Sequence, residues 1–264
     1  MSIINSFNNQ GFTHNFRVFK NPNALDKIKQ TIYDFTKNDL EDHEINLSLD
    51  QKLKIKFKKK VSLKYINDLR RLINYSDEFN KIINDDDIKE KFGLIFKKPV
   101  LFKVNIFRSL LPTDEDVIYP YHQDESTWFL FKDNFYRNKL TGTMWLSING
   151  ANKLNSIELL KGSNKHQKLF NHKYVNNKGY FGGVLSKRFL DNHDCHQVET
   201  QPGEAIIFHN LTFHRTISNK NQHNEMVPRY SFDIRYFDKD EILKYKVDYI
   251  FKLKEFASKL NIIK

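Results

Sequence analysis

From Pro99 onward the chain divides into about eight short runs of alternating or apolar residues, each closed by turn-forming ones. The runs are Val100–Ser109, Tyr119–Phe131, Gly142–Ile148, Ser156–Leu160, His196–Glu199, Glu204–Phe208, Thr212–Ser218 and Arg229–Phe237. Strands this short and this closely spaced bury their apolar faces by stacking two antiparallel sheets or by curling into a barrel. The pattern therefore predicts a mainly β jelly roll with flanking helices. The glycines form no G-x-G-x-x-G or G-x-x-x-x-G-K arrangement, which excludes the Rossmann and P-loop ways of cradling phosphate.

The first 98 residues have a different texture and read as mainly helical support. Asn21 to Lys37 opens on a turn signal and carries Leu25, Ile28, Ile32 and Phe35 at helical spacing. Ser62 to Ile83 repeats that spacing with Leu63, Ile66, Leu69, Leu72 and Ile73. Between them Lys52–Lys58 alternates strictly, which predicts a strand with one lysine face, a charged edge that discourages pairing with other chains. Glu241 to Leu260 predicts a closing helix. With no linker-like stretch or internal repeat, the expectation is one domain over 1–264: helical support in 1–98, β core in 99–240 and a helix in 241–264.

Bulk properties narrow the function classes. No run approaches the ~20 apolar residues that span a bilayer, and MSIINSFNNQGF lacks the charged and apolar regions of a secretory signal. A single cysteine, Cys195, permits no internal disulfide and suits a reducing cytoplasm. The net charge of +11 invites a nucleic-acid reading. The excess is mostly lysine amid Asn, Ile and Phe, however, and arginine, the better reader of phosphates and bases, is scarce. The composition thus disfavours nucleic acid, and an anionic small substrate explains the charge equally well. Oligomeric state is not legible.

Three short pieces carry chemistry: His122-Gln-Asp124, a histidine near the end of the chain's apolar stretches, and Arg229. In a strand, residues two apart share a face, so His122 and Asp124 both point inward if Tyr121 and Gln123 point outward. A further imidazole would complete the two-histidine, one-carboxylate facial set of non-haem Fe(II) oxygenases, which leaves positions open for other ligands. Both His209 and His214 follow the apolar run Glu204–Phe208. His214 sits in the strand leading to Arg229, whereas His209 ends the run and reads as a turn residue or a partner behind the site. The other histidines lie in polar stretches and read as surface residues. In Arg229-Tyr-Ser-Phe-Asp-Ile-Arg235, alternation puts Arg229, Ser231, Asp233 and Arg235 on one face. Such a polar row suits a cavity wall, where Arg229 can take a carboxylate through two hydrogen bonds.

These residues resemble the phytanoyl-CoA dioxygenase family of Fe(II)/2-oxoglutarate-dependent oxygenases, over roughly Pro99 to Phe237. Members carry His-Gln-Asp followed by aromatics, as in Tyr121-His-Gln-Asp-Glu-Ser-Thr-Trp128, then a Thr/Trp-rich strand, as in Gly142-Thr-Met-Trp-Leu-Ser147. The family's Pro-Gly-Ser-His is altered here to a stretch ending Lys161-Gly-Ser-Asn-Lys-His166, and its Gly-Asp to Gly203-Glu204. The resemblance implies a double-stranded β-helix (cupin-like) core, with Fe(II) held by His122, Asp124 and His214. It implies 2-oxoglutarate as co-substrate on Arg229 and Ser231, with Asn105, Lys103 and Trp128 as further contacts, and O2 as oxidant. Because Asp124 is present, where related halogenases carry a small residue, hydroxylation of a small metabolite is expected: an acyl-CoA, a sugar or nucleotide-sugar, or an amino-acid type. Nucleic-acid demethylases of the same superfamily combine His-Gln-Asp with Arg-x5-Arg, which Arg229 and Arg235 also satisfy. A cupin-like metal protein without oxygenase activity is a third reading. Phe131–Lys139 and Gln167–Lys187 read as lid loops.

Overall fold

The computed structural model describes residues 2–42, 46–113, 118–128, 139–175, 180–217, 227–243 and 246–247. Helices are α1 (Ile3–Gln10), α2 (Asp26–Thr36), α3 (Leu49–Lys52), α4 (Leu63–Asn74), α5 (Asp77–Ile83), α6 (Asp86–Gly93), α7 (Glu125–Trp128) and α8 (Lys187–Asp191). Strands β1 (Phe16–Arg17), β2 (Pro99–Leu101), β3 (Ile106–Leu110), β4 (Lys139–Ser147) and β5 (Ile157–Leu160) come first. They are followed by β6 (Lys168–Leu169), β7 (His172–Val175), β8 (Tyr180–Gly183) and β9 (Cys195–Gln197). The last are β10 (Glu204–His209), β11 (His214–Thr216), β12 (Arg229–Ile242) and β13 (Lys246–Val247).

β12 organises the molecule. Its partners make a six-stranded sheet in the order β1-β10-β4-β12-β2, with β3 also on β12, all antiparallel. A smaller antiparallel sheet, β11-β5-β9, forms the opposing layer. Two sheets joined this way form the double-stranded β-helix that the strand density predicts. The space between them holds Phe12, Trp145, Ile157, Leu159, Val198, Ile206 and Phe208. The outer face of the large sheet is covered by the helices, in a cluster that includes Ile28, Ile32, Ile66, Leu69, Ile73, Phe79, Phe107, Phe232 and Ile234.

Local chemistry sets the helical layer. Ser62 caps α4 by accepting from the Tyr65 N–H, and Ile66, Leu69 and Ile73 form its buried stripe. Ser76 then accepts from the Phe79 N–H and starts α5, so the periodic stretch 62–83 is two helices rather than one. Lys52–Lys58 is not a strand. A capping box between Ser48 and Gln51 starts α3 instead, and only Phe57 makes an isolated bridge, to Leu40. The alternation there reflects burial of Leu53 and Phe57 in the helical cluster, with no neighbouring strand to pair.

Other expectations are corrected in the same way. The run 100–109 is broken between β2 and β3, because Asn105 bonds the Phe102 carbonyl and the Arg235 N–H rather than continuing the ladder. Stretch 167–187 contains the hairpin β7–β8. Residues 241–242 belong to β12, and Lys246–Val247 pair in parallel with β6. The remainder of the expected closing helix, 248–264, lies outside the described residues, as does most of the 131–139 segment.

Candidate metal centre and co-substrate cavity

Residues 119–131 do not form the continuous strand that alternation suggested. His122 makes a single antiparallel bridge to His214, each N–H bonding the other's carbonyl at 3.0 Å, and the chain then turns into α7. Gln123 locks the turn from behind. Its amide donates to the carbonyls of Lys168 and Leu211, and its oxygen accepts from the Phe170 N–H. His172, on β7, accepts the Gln123 backbone N–H at Nε2 while its Nδ1 meets the Phe170 carbonyl. That hairpin can approach because residue 183 is glycine: a Cβ there would sit 2.6 Å from the Phe213 ring. Ser126 and Thr127 return their hydroxyls to the Gln123 and Asp124 carbonyls. The donor pair is therefore convergent through a locked turn, and His172, expected at the surface, is buried.

The turn brings His122, Asp124 and His214 together with one donor atom from each within 4.8 Å of the others. Nε2 of His122 lies 3.9 Å, and that of His214 3.7 Å, from Asp124 Oδ1. Each Nδ1 faces a backbone carbonyl, Pro120 for His122 and Thr212 for His214, so the proton belongs on Nδ1 and the Nε2 lone pair faces the carboxylate. Asp124 Oδ2 accepts from the Thr143 hydroxyl and from Arg235 Nε at 3.2 Å, which leaves Oδ1 toward the imidazoles. Burial, reinforced by neighbouring His214, drops His122 to about 3. His214 is lowered as well, chiefly by burial. Burial alone would raise Asp124, but Arg235, the two imidazoles and Thr143 hold its carboxyl well below the ordinary carboxylate range. Two neutral imidazoles and one carboxylate are the protonation states that a divalent metal requires, and the N, N, O donor set fits iron.

The same cavity, about 250 Å³, is walled by Trp145, Ile157 and Phe208 and contains Arg229. Arg229 is buried, stacks 5.5 Å over the Trp145 ring and donates through Nη1 to the Asn155 carbonyl. Its Nε has no partner among the described residues, and burial pulls its pKa only to about 10, so it stays cationic. Ser231, one position along the same face, pairs in register with Ser147, and neither buried hydroxyl has a partner among the described residues. Ser231 and Ser147 are not among the residues lining the cavity, but Arg229 is, and a buried guanidinium nitrogen left unanswered on its wall indicates a ligand that answers it.

Of the remaining predicted contacts, two lie elsewhere. Asn105 serves the backbone beside Arg235 and does not line the cavity, and Lys103 is exposed in the β2–β3 connection. Trp128 ends α7, and its side chain lies outside the described residues. Trp145 does line the cavity. His209 ends β10 away from the three donors, with Nδ1 accepting the Leu211 N–H. Residues missed in the sequence are Thr143, Arg235 and His172, which orient the donors, and Arg108 and Arg70, which line the mouth. Only Arg235 had a signal, its place in the polar row of β12.

A double-stranded β-helix with a two-histidine, one-carboxylate cluster at one end of its cavity defines the class of mononuclear metal-dependent oxygenases. The profile of the phytanoyl-CoA dioxygenase (PhyH) family matches residues 7–227, so the likeness extends into the helical layer and is not confined to the β core. The chain belongs to the phytanoyl-CoA dioxygenase family of Fe(II)/2-oxoglutarate-dependent oxygenases. Among solved structures it resembles EctD from S. alaskensis with 2-oxoglutarate and 5-hydroxyectoine, at 14% identity and a TM-score of 0.60, over 91% of this chain and 77% of that one. It also resembles EvdO2 from Micromonospora carbonacea var. aurantiaca complexed with 2-oxoglutarate, at 13% identity and a TM-score of 0.53, over 94% and 96% of the two chains. The epimerase SnoN, in complex with Fe3+, alpha ketoglutarate and nogalamycin RO, matches at 13% identity and a TM-score of 0.55, over 89% and 82%. No curated protein matches the sequence. Among the described residues no helix is long and apolar enough to cross a membrane.

Proposed function

We propose that this chain hydroxylates a C–H bond of a small metabolite, with Fe(II) on His122, Asp124 and His214 and 2-oxoglutarate anchored by Arg229. The observation that carries this reading is the meeting, in one cavity, of the three-donor cluster and a buried arginine with an unanswered Nε. Iron bound there would supply O2 activation coupled to oxidative decarboxylation of 2-oxoglutarate to succinate.

The chain's own residues position and shield. The carbonyls of Pro120 and Thr212 set the imidazole tautomers, and Thr143 with Arg235 keeps Asp124 ionised and aimed. Arg229 takes the far carboxylate of the co-substrate, with the Ser231 hydroxyl as a second donor. Trp145, Ile157 and Phe208 exclude water from the reacting atoms. Asp124 fills the position that halogenation would need vacant, which favours hydroxylation. Arg235, the second arginine of the Arg-x5-Arg spacing, is engaged by Asp124 and Asp233, which argues against a base-reading role and so against the demethylase reading. A cytoplasmic setting, with Cys195 reduced, belongs to the same reading.

Anaerobic calorimetry of Mn(II)-loaded protein with 2-oxoglutarate tests it. Metal-dependent binding should weaken by more than about tenfold in Arg229→Ala, the loss expected of a buried charge-assisted pair. Equal affinity in the two proteins would remove Arg229 from the site. No binding to folded, metal-loaded wild type would move the chain to a cupin-like, non-oxygenase role.

A further inference from the structure

Arg229 is not the only arginine of the cavity with a buried Nε that lacks a partner among the described residues; Arg70 is the other. Arg70 reaches the cavity mouth from α4, and its one hydrogen bond among the described residues is a 3.3 Å contact from Nη1 to Asn67 one turn earlier. The remaining cavity arginines are spoken for. Arg108 bonds Asp233 at 2.9 Å and the Tyr119 hydroxyl at 3.0 Å, Arg235 bonds Asp124, and Arg215 bonds Glu158 at 2.9 Å.

Charge points the same way. Among the described residues five arginines line the cavity against two aspartates, an excess of three positive charges. A divalent metal adds two and 2-oxoglutarate removes two. Glu158 answers Arg215 from just behind the wall, which leaves two positive charges unanswered when metal and co-substrate are both in place. Burial and then the neighbouring Arg108 cation disfavour the charged form of Arg70, while Tyr119 and Asp233 partly offset them. Asp233 answers Arg108 directly but reaches Arg70 only through its charge, with no hydrogen bond to it among the described residues, so an anion bonded to Arg70 would stabilise the pair of guanidiniums.

Resting on the oxygenase reading above, we infer that the substrate of this enzyme is a small molecule bearing an oxyanion, a carboxylate or phosphate, which Arg70 binds at the mouth opposite the co-substrate arginine. The helical segment before the β core thus contributes a specificity-determining residue, not only support. The apolar wall of Leu63, Ile66 and Leu110 beside Arg70 would hold the carbon portion of that molecule.

The test uses Mn(II)-loaded protein saturated with 2-oxoglutarate, so that Arg229 is already occupied, and two probes, acetate and methyl phosphate. Paramagnetic relaxation of each probe's methyl protons by the bound Mn(II) reports its occupancy of the cavity. Wild type should bind at least one probe; Arg70→Gln should raise its Kd by about tenfold or more, and Arg70→Lys by less. Whichever probe binds more tightly identifies the oxyanion. Arg70 is partly exposed, and unchanged 2-oxoglutarate affinity in both variants shows that the cavity is intact. Absence of binding by either probe, or equal binding by wild type and Arg70→Gln, would overturn the inference and leave the oxygenase reading standing. Failure of wild type to bind 2-oxoglutarate at all would remove both.

Discussion

Tyr230, Phe232, Ile234 and Tyr236 leave one face of β12 into the helical layer, while Arg229, Ser231, Asp233 and Arg235 share the other, where Arg229, Asp233 and Arg235 line the cavity. On the first face everything is satisfied from within. Phe232 lies 5.0 Å from Phe79 and 5.9 Å from Phe107, centroid to centroid, and the Tyr236 hydroxyl finds the Ile83 carbonyl. On the second face, Arg229 Nε and the hydroxyls of Ser231 and Ser147 are buried without partners among the described residues. Each such group costs about 1–3 kcal/mol when left unanswered. One strand therefore stabilises the fold with its even-numbered residues and stores unmet binding capacity with the odd-numbered ones. Function here is located where the fold is locally least complete.

Four experiments can break or sharpen that contrast. The largest effect should come from Asp124→Ala, which removes a donor and leaves buried Arg235 without its nearer carboxylate, the longer contact to Asp233 remaining. Metal-dependent succinate release should fall below detection, and retained turnover would refute the site. Phe232→Ala attacks the other face and should cost about 3–5 kcal/mol in denaturant unfolding, with 2-oxoglutarate affinity unchanged in the protein that remains folded. If affinity fell in parallel, the two faces would not be separable.

Acid should act on the packing that surrounds both faces. His209 and His172 are buried neutral, each with a folded pKa that burial lowers to about 4, below the unfolded value near 6.5. As pH falls from about 6.5 toward 4, the unfolded chain takes up protons that the folded chain refuses. Stability is thus complete above pH 6.5 and should decline below it, approaching about 1.4 kcal/mol per pH unit for each histidine. Urea midpoints between pH 7 and 4.5 measure the slope, and His209→Gln should flatten it by one histidine's share. The smallest effect belongs to Ser231→Ala. Removing an unanswered hydroxyl should leave stability unchanged or raise it by up to about 1 kcal/mol, while weakening 2-oxoglutarate binding severalfold. A loss of both stability and affinity would show that the hydroxyl is part of the fold.

Much of the fold was legible because its signals are local. Seven of the eight strand runs begin or end within a few residues of observed strands, since alternation registers burial directly. The same signal misled at Lys52–Lys58, where alternating burial against helices imitates a strand, and at 119–131, where a bridge and a turn replace one. His122 and Asp124 do converge, yet for a reason that alternation does not contain: Gln123 and His172 pin the backbone between them. Asn105 and Lys103 were placed near the co-substrate by analogy with a strand that is interrupted at their positions.

The sequence by itself determined the chemical inventory: two imidazoles, one carboxylate and an arginine, in an order and among strand signals that admit few folds. It could do so because residue type and short-range spacing are carried by neighbouring positions. Tertiary structure alone decided which of the row's charges face each other. Arg235 turns to Asp124, Arg108 to Asp233, and Arg70, from a helix outside the sheet, is left lining the cavity with no hydrogen-bonded acid among the described residues. Those pairings depend on strand register and on helix placement across long stretches of chain, and burial makes each worth far more than its distance along the sequence would suggest.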